Sequence, residues 1–155
     1  MAPPMAFTHA ELRDATDGLY TSERAVRFQD VDAAGTVFFP RFFEYASDAY
    51  IELLARGGCD LAGDIAAKRW AAPLVHAEAD FHAPLRFGDA LVAEVVRARV
   101  GTTSYTLGFR VRARVETSRV CATVITVHVS IDPVTFKPAP VPDAVRRALT
   151  ETSRS

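Results

Sequence analysis

Residues 26–50, VRFQDVDAAGTVFFPRFFEYASDAY, change character at Pro40. Two aspartates and a short apolar run precede the proline. After it, apolar side chains recur at helical spacing, at Phe42, Ala46, Ala49 and Leu53. Proline suits the first turn of a helix because the N–H that it lacks has no partner there. The sequence therefore predicts a long helix with a wide apolar face, from Pro40 to the stop signal at Gly57-Gly58.

Most of the chain around this helix has the alternating pattern of strands. The predicted strands cover residues 22–31, 71–84, 89–100, 104–116 and 119–132. Residues 59–70 suit either a short helix or a mobile lid, and residues 140–155 suit one short helix. Because the later strands follow one another at hairpin-like spacing, the pattern favours an α+β fold with an antiparallel sheet wrapped around the long helix.

The composition is that of an ordinary globular protein, with 155 residues, 49% hydrophobic residues and a formal net charge of -1. It predicts one domain over residues 21–150 behind a flexible segment over residues 1–20. The balanced charge gives no reason to expect a nucleic-acid or membrane partner. Two distant cysteines and no Cys/His cluster argue against a metal site. The first residues lack the pattern of a signal peptide, so a cytoplasmic protein is expected.

Three motifs resemble the hot-dog-fold acyl-CoA thioesterases of the 4-hydroxybenzoyl-CoA thioesterase type. They are RFQDVDAAGTVFFPRFFEYASDAYIELL (27–54), APLVHAEADFHAPLRFGDAL (72–91) and VVRARVGTTSYTLGFRV (95–111). The sequence around VHAEADF is similar to that of the branch that acts on 1,4-dihydroxy-2-naphthoyl-CoA. The resemblance implies a hot-dog fold, hydrolysis of an acyl-CoA thioester, and no cofactor besides the coenzyme A of the substrate.

The resemblance also implies catalytic roles for Asp32 and Phe39. The family's catalytic carboxylate matches Asp32 in DAAG, and its carbonyl-polarising backbone N–H matches Phe39 at the helix start. Helix starts carry free N–H groups and partial positive charge, which suit a developing oxyanion. In a largely apolar cleft, Asp32 would attack the thioester or activate a water. The alternative interpretation is that Asp32 only caps a turn, as aspartate often does.

Further residues are candidates for contact with the substrate. Gly35, Phe38 and Pro40 flank the two catalytic candidates, and the phenylalanines would favour an aromatic acyl group unless they are core residues. His76 is a candidate for the acyl pocket, although a structural histidine is the more common case. Ser104 matches the family's turn near the pantetheine arm.

Arginines that share a strand face are candidates for the coenzyme A phosphates. Arg97 and Arg99 form one such set, and Arg110, Arg112 and Arg114 form another, although a solvated face would explain both. Asp30 is interpreted as a solvated carboxylate at the end of the first strand.

The resemblance implies a homodimer with a continuous sheet, which in many relatives pairs into a homotetramer. Two functions compete with acyl-CoA hydrolysis. One is release of an acyl or polyketide chain from a carrier protein, and the other is acyl-CoA binding without catalysis.

Overall fold

The structure is a computed structural model that describes residues 6–115 and 118–151. Its regular elements, in chain order, are helix α1 (His9–Asp14), strand β1 (Tyr20–Ala25), a 3-10 turn (Phe28–Asp30), helices α2 (Pro40–Arg56) and α3 (Leu61–Ala66), strands β2 (Leu74–Phe81), β3 (Ala90–Val100), β4 (Ser104–Ala113) and β5 (Val120–Val129), and helix α4 (Asp143–Thr150). Within these residues, no helix is long and apolar enough to cross a membrane.

The five strands form one antiparallel sheet in the order β1-β3-β4-β5-β2. The predicted α+β class is therefore confirmed, and β1 and β2 are the two edges. The ambiguous residues 59–70 contain the short helix α3. The strand predicted over residues 104–116 ends at Ala113, and Glu116 lies outside the described residues, as does the end of the predicted C-terminal helix, residues 152–155.

Helix α2 begins at Pro40 as predicted and packs against the inner face of the sheet. Its buried side chains are Phe42, Tyr45, Ala46, Ala49, Tyr50, Leu53 and Leu54. The N–H of Gly57 donates to the carbonyl oxygen of Leu53 and ends the helix. Burial of this stripe against the apolar inner face of β3 and β4 supplies the main hydrophobic core.

The first strand is shorter than predicted. It ends at Ala25 rather than Val31, because the N–H of Val26 donates to Asp89 in the turn before β3 and the chain then enters the 3-10 turn. The strand pattern around Phe28 therefore belongs to a loop that leads into α2.

Helix α1 covers the outer face of the sheet and was not anticipated within the segment described as flexible. Its N-cap residue Thr8 forms a capping box with Glu11, and Leu12 is fully buried against Val96 and Ile125. A Cβ atom at Gly108 would lie 2.4 Å from a Leu12 methyl carbon, so the missing side chain makes room for the helix.

Candidate active site

The loop that carries Asp32 is a tight turn closed by a short ladder. Asp32 donates its N–H to the carbonyl oxygen of Thr36 (2.9 Å), and Val31 bridges Val37. Gly35 occupies the left-handed region at φ 79°, which favours glycine. The ladder joins the Asp32 turn to the residues just before α2, so the two ends of the loop are held as one unit.

The Asp32 carboxylate caps this turn with one oxygen only. Its Oδ1 accepts the N–H of Ala34 (2.9 Å) and lies 3.4 Å from the N–H nitrogen of Thr36. Across the described residues, Oδ2 has no hydrogen-bond partner. Contrary to the expected apolar cleft, the side chain is exposed in the single chain. The turn contact thus orients a carboxylate that keeps one oxygen available.

The start of α2 leaves one backbone N–H available, that of Phe39. Phe38 donates its N–H to the carbonyl oxygen of Asp30 (2.8 Å), and Arg41 donates to that of Phe38 (2.9 Å). Pro40 has no N–H. Phe39 is the N-cap residue, and its N–H has no acceptor in the described part of the chain. A free donor therefore sits at the positive end of a 17-residue helix.

Asp30 is fully buried, which corrects its interpretation as a solvated carboxylate. Its Oδ2 accepts the Arg27 N–H and the Tyr45 hydroxyl, both at 2.9 Å. Burial by itself raises the pKa of the Asp30 carboxyl, but the hydrogen bonds from Arg27 and Tyr45 and the charge of Arg27 outweigh it and lower the pKa. Asp30 therefore anchors the loop to α2 as a charged group.

An apolar groove runs from the start of α2 along its face toward β2. Phe81 on the inner face of β2 lies 6.4 Å from Phe39 and 5.4 Å from Phe42, measured between ring centroids. Further along α2 lies a cavity of about 130 Å³. The cavity is lined by Phe43, Ser47, Tyr50, Leu74, Phe109, Thr126 and His128.

The inner end of this cavity carries polar groups that sequence reasoning missed. The His128 Nδ1 lies 3.3 Å from the Ala72 carbonyl oxygen, and its Nε2 lies 3.2 Å from the Thr126 hydroxyl. Burial lowers the pKa of His128, so the ring is neutral near pH 7. The hydroxyls of Tyr50 and Tyr105 contact each other beside this ring. The alternating pattern of β5 includes His128, but no motif distinguishes it from the other residues of that strand.

Comparison with known proteins assigns the family. The profile of the thioesterase-like superfamily matches residues 26–149. The chain belongs to this superfamily. A 1,4-dihydroxy-2-naphthoyl-CoA hydrolase of Nostoc punctiforme is 33% identical over 87% of this chain and 88% of its own length. Another hydrolase of that name, from Rippkaea orientalis, is 30% identical over 85% of this chain and 96% of its own.

Solved thioesterase structures have the same fold. The 1,4-dihydroxy-2-naphthoyl-CoA thioesterase of Synechocystis superposes with a TM-score of 0.80 at 30% identity, over 85% of this chain and 96% of that one. A gentisyl-coenzyme A thioesterase superposes with a TM-score of 0.72 at 27% identity, over 84% and 99%. The hot-dog fold and the resemblance to acyl-CoA thioesterases are confirmed.

Several residues predicted to bind substrate lie far from Asp32 within this thioesterase chain. The turn between β2 and β3 contacts the loop that carries Asp32, whereas Arg97, Arg99 and Ser104 lie at or near the other end of the sheet. The 11 residues of β3 span roughly 35 Å between these ends. Arg97 also donates to the carboxylate of Asp17 at 3.0 Å. Within one subunit these residues therefore lie well away from Asp32, and their contact with the substrate stays a prediction.

His76 does not line the groove of its own chain. Its Nε2 lies 2.9 Å from Glu78, which also contacts His9 of the helix on the outer face. The groove lies on the inner face, so His76 does not reach it within its own chain, and its role in a pocket stays a prediction. The alternation of β2 allowed either face, and only the sheet topology decides between them.

The second set of arginines forms ion pairs instead of a free basic face. Buried Glu94 accepts from Arg110 (2.6 Å) and from Arg112 (2.8 Å). Arg114 contacts Glu23 at 3.1 Å. The residues described contain no group of three His, Cys, Asp or Glu side chains able to hold a metal ion.

Proposed function

We propose that this thioesterase hydrolyses an aromatic acyl-CoA, with Asp32 as the catalytic carboxylate and the Phe39 N–H as the donor to the thioester carbonyl. The observation that carries the proposal is the pairing of an available carboxylate oxygen with a free helix-start N–H on one rigid loop. An N–H at a helix start stabilises the oxyanion that forms when the carbonyl is attacked.

Asp32 can act by two routes. As a nucleophile, its free oxygen attacks the carbonyl carbon, expels the coenzyme A thiolate and leaves a mixed anhydride for water to open. As a general base, it removes a proton from a water that attacks the same carbon. Rapid-quench mass spectrometry of a single turnover separates the routes, because only the first adds the mass of the acyl group to the protein.

The groove along α2 supports an aromatic acyl group. Phenylalanine rings at its opening and along its wall offer faces and edges on which a planar ring can pack. The cavity also contains Ser47 and Thr126, whose hydroxyls can donate to or accept from a hydroxyl on the ring. The relatives at about 30% identity are named for an acyl group of this kind, a dihydroxynaphthoyl group.

We also infer a homodimer formed through the edge strand β2. This edge exposes Leu74, Val75 and Phe81, and an unpaired edge is a template for another strand. Antiparallel pairing of two β2 edges would bring the far end of one sheet, with Ser104 and Arg99, toward the catalytic loop of the partner. Sedimentation of the purified protein tests this arrangement, and a monomer would contradict it.

The decisive test of the function is thiol release from a panel of aromatic and aliphatic acyl-CoAs. Asp32→Asn keeps an oxygen to cap the turn but removes the charge, so turnover should fall at least about a hundredfold with the fold intact. Asp132→Asn is the matched control for turn capping, because Asp132 caps a turn after β5 with its Oδ1, which accepts the N–H groups of Val134 and Thr135.

Near-normal turnover by Asp32→Asn would refute the assignment and leave only the turn-capping role. Binding of acyl-CoA without thiol release by the unmodified protein would favour a non-catalytic binder. Release from acyl-carrier protein alone would favour a carrier-protein thioesterase.

A further inference from the structure

The backbone that carries the Phe39 N–H is connected to a carboxylate that the substrate does not reach. Phe38 donates its own N–H to the carbonyl oxygen of Asp30 (2.8 Å), and its carbonyl oxygen accepts the N–H of Arg41 (2.9 Å). The Phe38–Phe39 peptide group is therefore held on both sides. The Asp30 side chain is fully buried, yet Asp30 adjoins both this peptide group and, two residues further on, Asp32.

The Asp30 side chain joins the loop to the body of helix α2. Its Oδ2 accepts the backbone N–H of Arg27, just before the 3-10 turn, and the hydroxyl of Tyr45. Tyr45 lies in the second turn of α2, and its ring is buried in the main core. The core therefore fixes the position of Asp30, and Asp30 in turn fixes the backbone at Phe38.

Two guanidinium groups face the other oxygen of Asp30. Its Oδ1 lies 3.4 Å from Nη2 of Arg27 and 3.8 Å from Nε of Arg41, which is in the first turn of α2. Arg41 also donates to the carbonyl oxygen of Gln29 (3.1 Å), which is a second link between the helix and the 3-10 turn. The two positive groups offset the buried negative charge, so Asp30 holds the loop without cancelling the positive potential at the helix start.

We propose that Asp30 and Tyr45 are positioning residues that keep the Phe39 N–H aimed at the thioester carbonyl. The inference rests on the proposed acyl-CoA thioesterase function and adds two residues that act on the reaction through the backbone. A donor to an oxyanion must point at it before the charge develops, because reorientation during the reaction would cost part of the stabilisation. A rotation of the Phe38–Phe39 peptide group would weaken this hydrogen bond, since its strength falls steeply with the donor angle.

The test measures kcat and KM separately for the aromatic acyl-CoA that the unmodified enzyme hydrolyses best. Tyr45→Phe keeps Asp32 and Phe39 and removes only the hydroxyl that donates to Asp30. Loss of a whole oxyanion donor lowers kcat about a hundredfold or more, so a loosened donor should lower kcat about tenfold. KM should change by less than about twofold, because the donor acts mainly in the transition state.

Asp30→Asn extends the same test. In either orientation its NH2 group would face a donor, which is the pair of guanidinium groups on the Oδ1 side or the Arg27 backbone N–H on the Oδ2 side. It should therefore lower kcat more than Tyr45→Phe does, again with little change in KM. Tyr45→Phe decides the outcome if Asp30→Asn does not fold.

Two control variants separate positioning from a general loss of stability. Tyr20→Phe removes a hydroxyl that donates to Glu52 in the second half of α2, and Gly108→Ala disturbs the packing of Leu12 on the outer face of the sheet. Both changes lie away from the Phe38–Phe39 peptide group. At a temperature where every variant is folded, both should keep kcat within about twofold of the unmodified enzyme.

Three results would overturn the proposal. They are a Tyr45→Phe variant with the kcat of the unmodified enzyme, a Tyr45→Phe variant whose KM rises while kcat is kept, and a loss of kcat that Gly108→Ala shares. The first would leave Asp30 with a structural role alone, the second would assign Tyr45 to substrate binding, and the third would trace the loss to stability.

Failure of the proposed function is separately visible, because the unmodified protein would then release no thiol. In that case amide hydrogen exchange decides whether Asp30 and Tyr45 hold the backbone at the helix start. Exchange of the Phe38 N–H about tenfold faster in Tyr45→Phe than in Gly108→Ala would support the positioning, and equal rates would overturn it.

Discussion

The hydrogen bond between Tyr45 and Asp30 gives the sharpest stability prediction. Tyr45→Phe removes only the hydroxyl that donates to Asp30 Oδ2 at 2.9 Å, and both side chains are buried. A hydrogen bond to a charged group contributes about 2 kcal/mol, so the free energy of unfolding should fall by that amount. For a domain of this size the loss corresponds to a Tm lower by roughly 4–8 °C.

The matched control is Tyr20→Phe. The Tyr20 hydroxyl also donates to a carboxylate, that of Glu52 on α2 at 3.1 Å, but both of these side chains are partly exposed. Solvent replaces such a bond, so the control should lose less than about 1 kcal/mol. Urea unfolding of the two variants and the unmodified protein measures the difference. Equal stability of Tyr45→Phe and Tyr20→Phe would refute the role assigned to Asp30.

A double-mutant cycle that combines Tyr45→Phe with Asp30→Asn separates the contribution of the Tyr45–Asp30 hydrogen bond from other effects of each substitution on stability. Asp30→Asn replaces the buried charged group that accepts from both Arg27 and Tyr45, so it should be the more damaging change, at about 3 kcal/mol. Since the two substitutions share one bond, the double variant should lose at least about 1 kcal/mol less than the sum of the single losses. Additive losses would contradict the shared contact.

The pH dependence of this contribution has a defined sign. Hydrogen bonds from Arg27 and Tyr45 outweigh the effect of burial and hold the pKa of Asp30 below its ordinary value in the folded state. The stabilisation is complete above the unfolded pKa of about 4 and is lost as the pH falls through the lowered folded value. The stability difference between the unmodified protein and Asp30→Asn should therefore shrink on acidification.

Three further substitutions test the sheet and the acyl cavity. Gly108→Ala should lower the free energy of unfolding by about 1–3 kcal/mol, because the added methyl displaces buried Leu12. An unchanged midpoint of urea unfolding would contradict the packing of α1 at this position. Glu94→Gln should cost about 3 kcal/mol because it leaves buried Arg110 without its charged partner, and a neutral result in thermal unfolding would contradict that pairing. Thr126→Val should reduce the preference for hydroxylated over unsubstituted aromatic acyl-CoA in the thiol-release assay, and an unchanged preference would remove Thr126 from acyl recognition.

Local features of the sequence were sufficient to predict the main framework. Pro40 and Gly57 mark the ends of α2 because a proline start and a glycine stop depend on neighbours within one turn. Alternation located the later strands, since the side-chain period of two is a local property. The turn at residues 32–35 and the helix start at Pro40 were also predicted from local residues, whereas the catalytic roles of Asp32 and Phe39 follow from the resemblance and stay predictions.

Contacts between distant residues were decided only by the tertiary structure. Asp30 is buried because Tyr45 and Arg27 converge on it, and neither position predicts that convergence from its own pattern. His76 faces outward and His128 faces the cavity because strand register assigns each to a side of the sheet. A strand pattern specifies that residues alternate, but which face is buried depends on where α1 and α2 pack. For that reason the sequence by itself predicted the fold, the turn at Asp32 and the start of α2, whereas the tertiary structure decided the cavity beside α2 and which arginines form ion pairs.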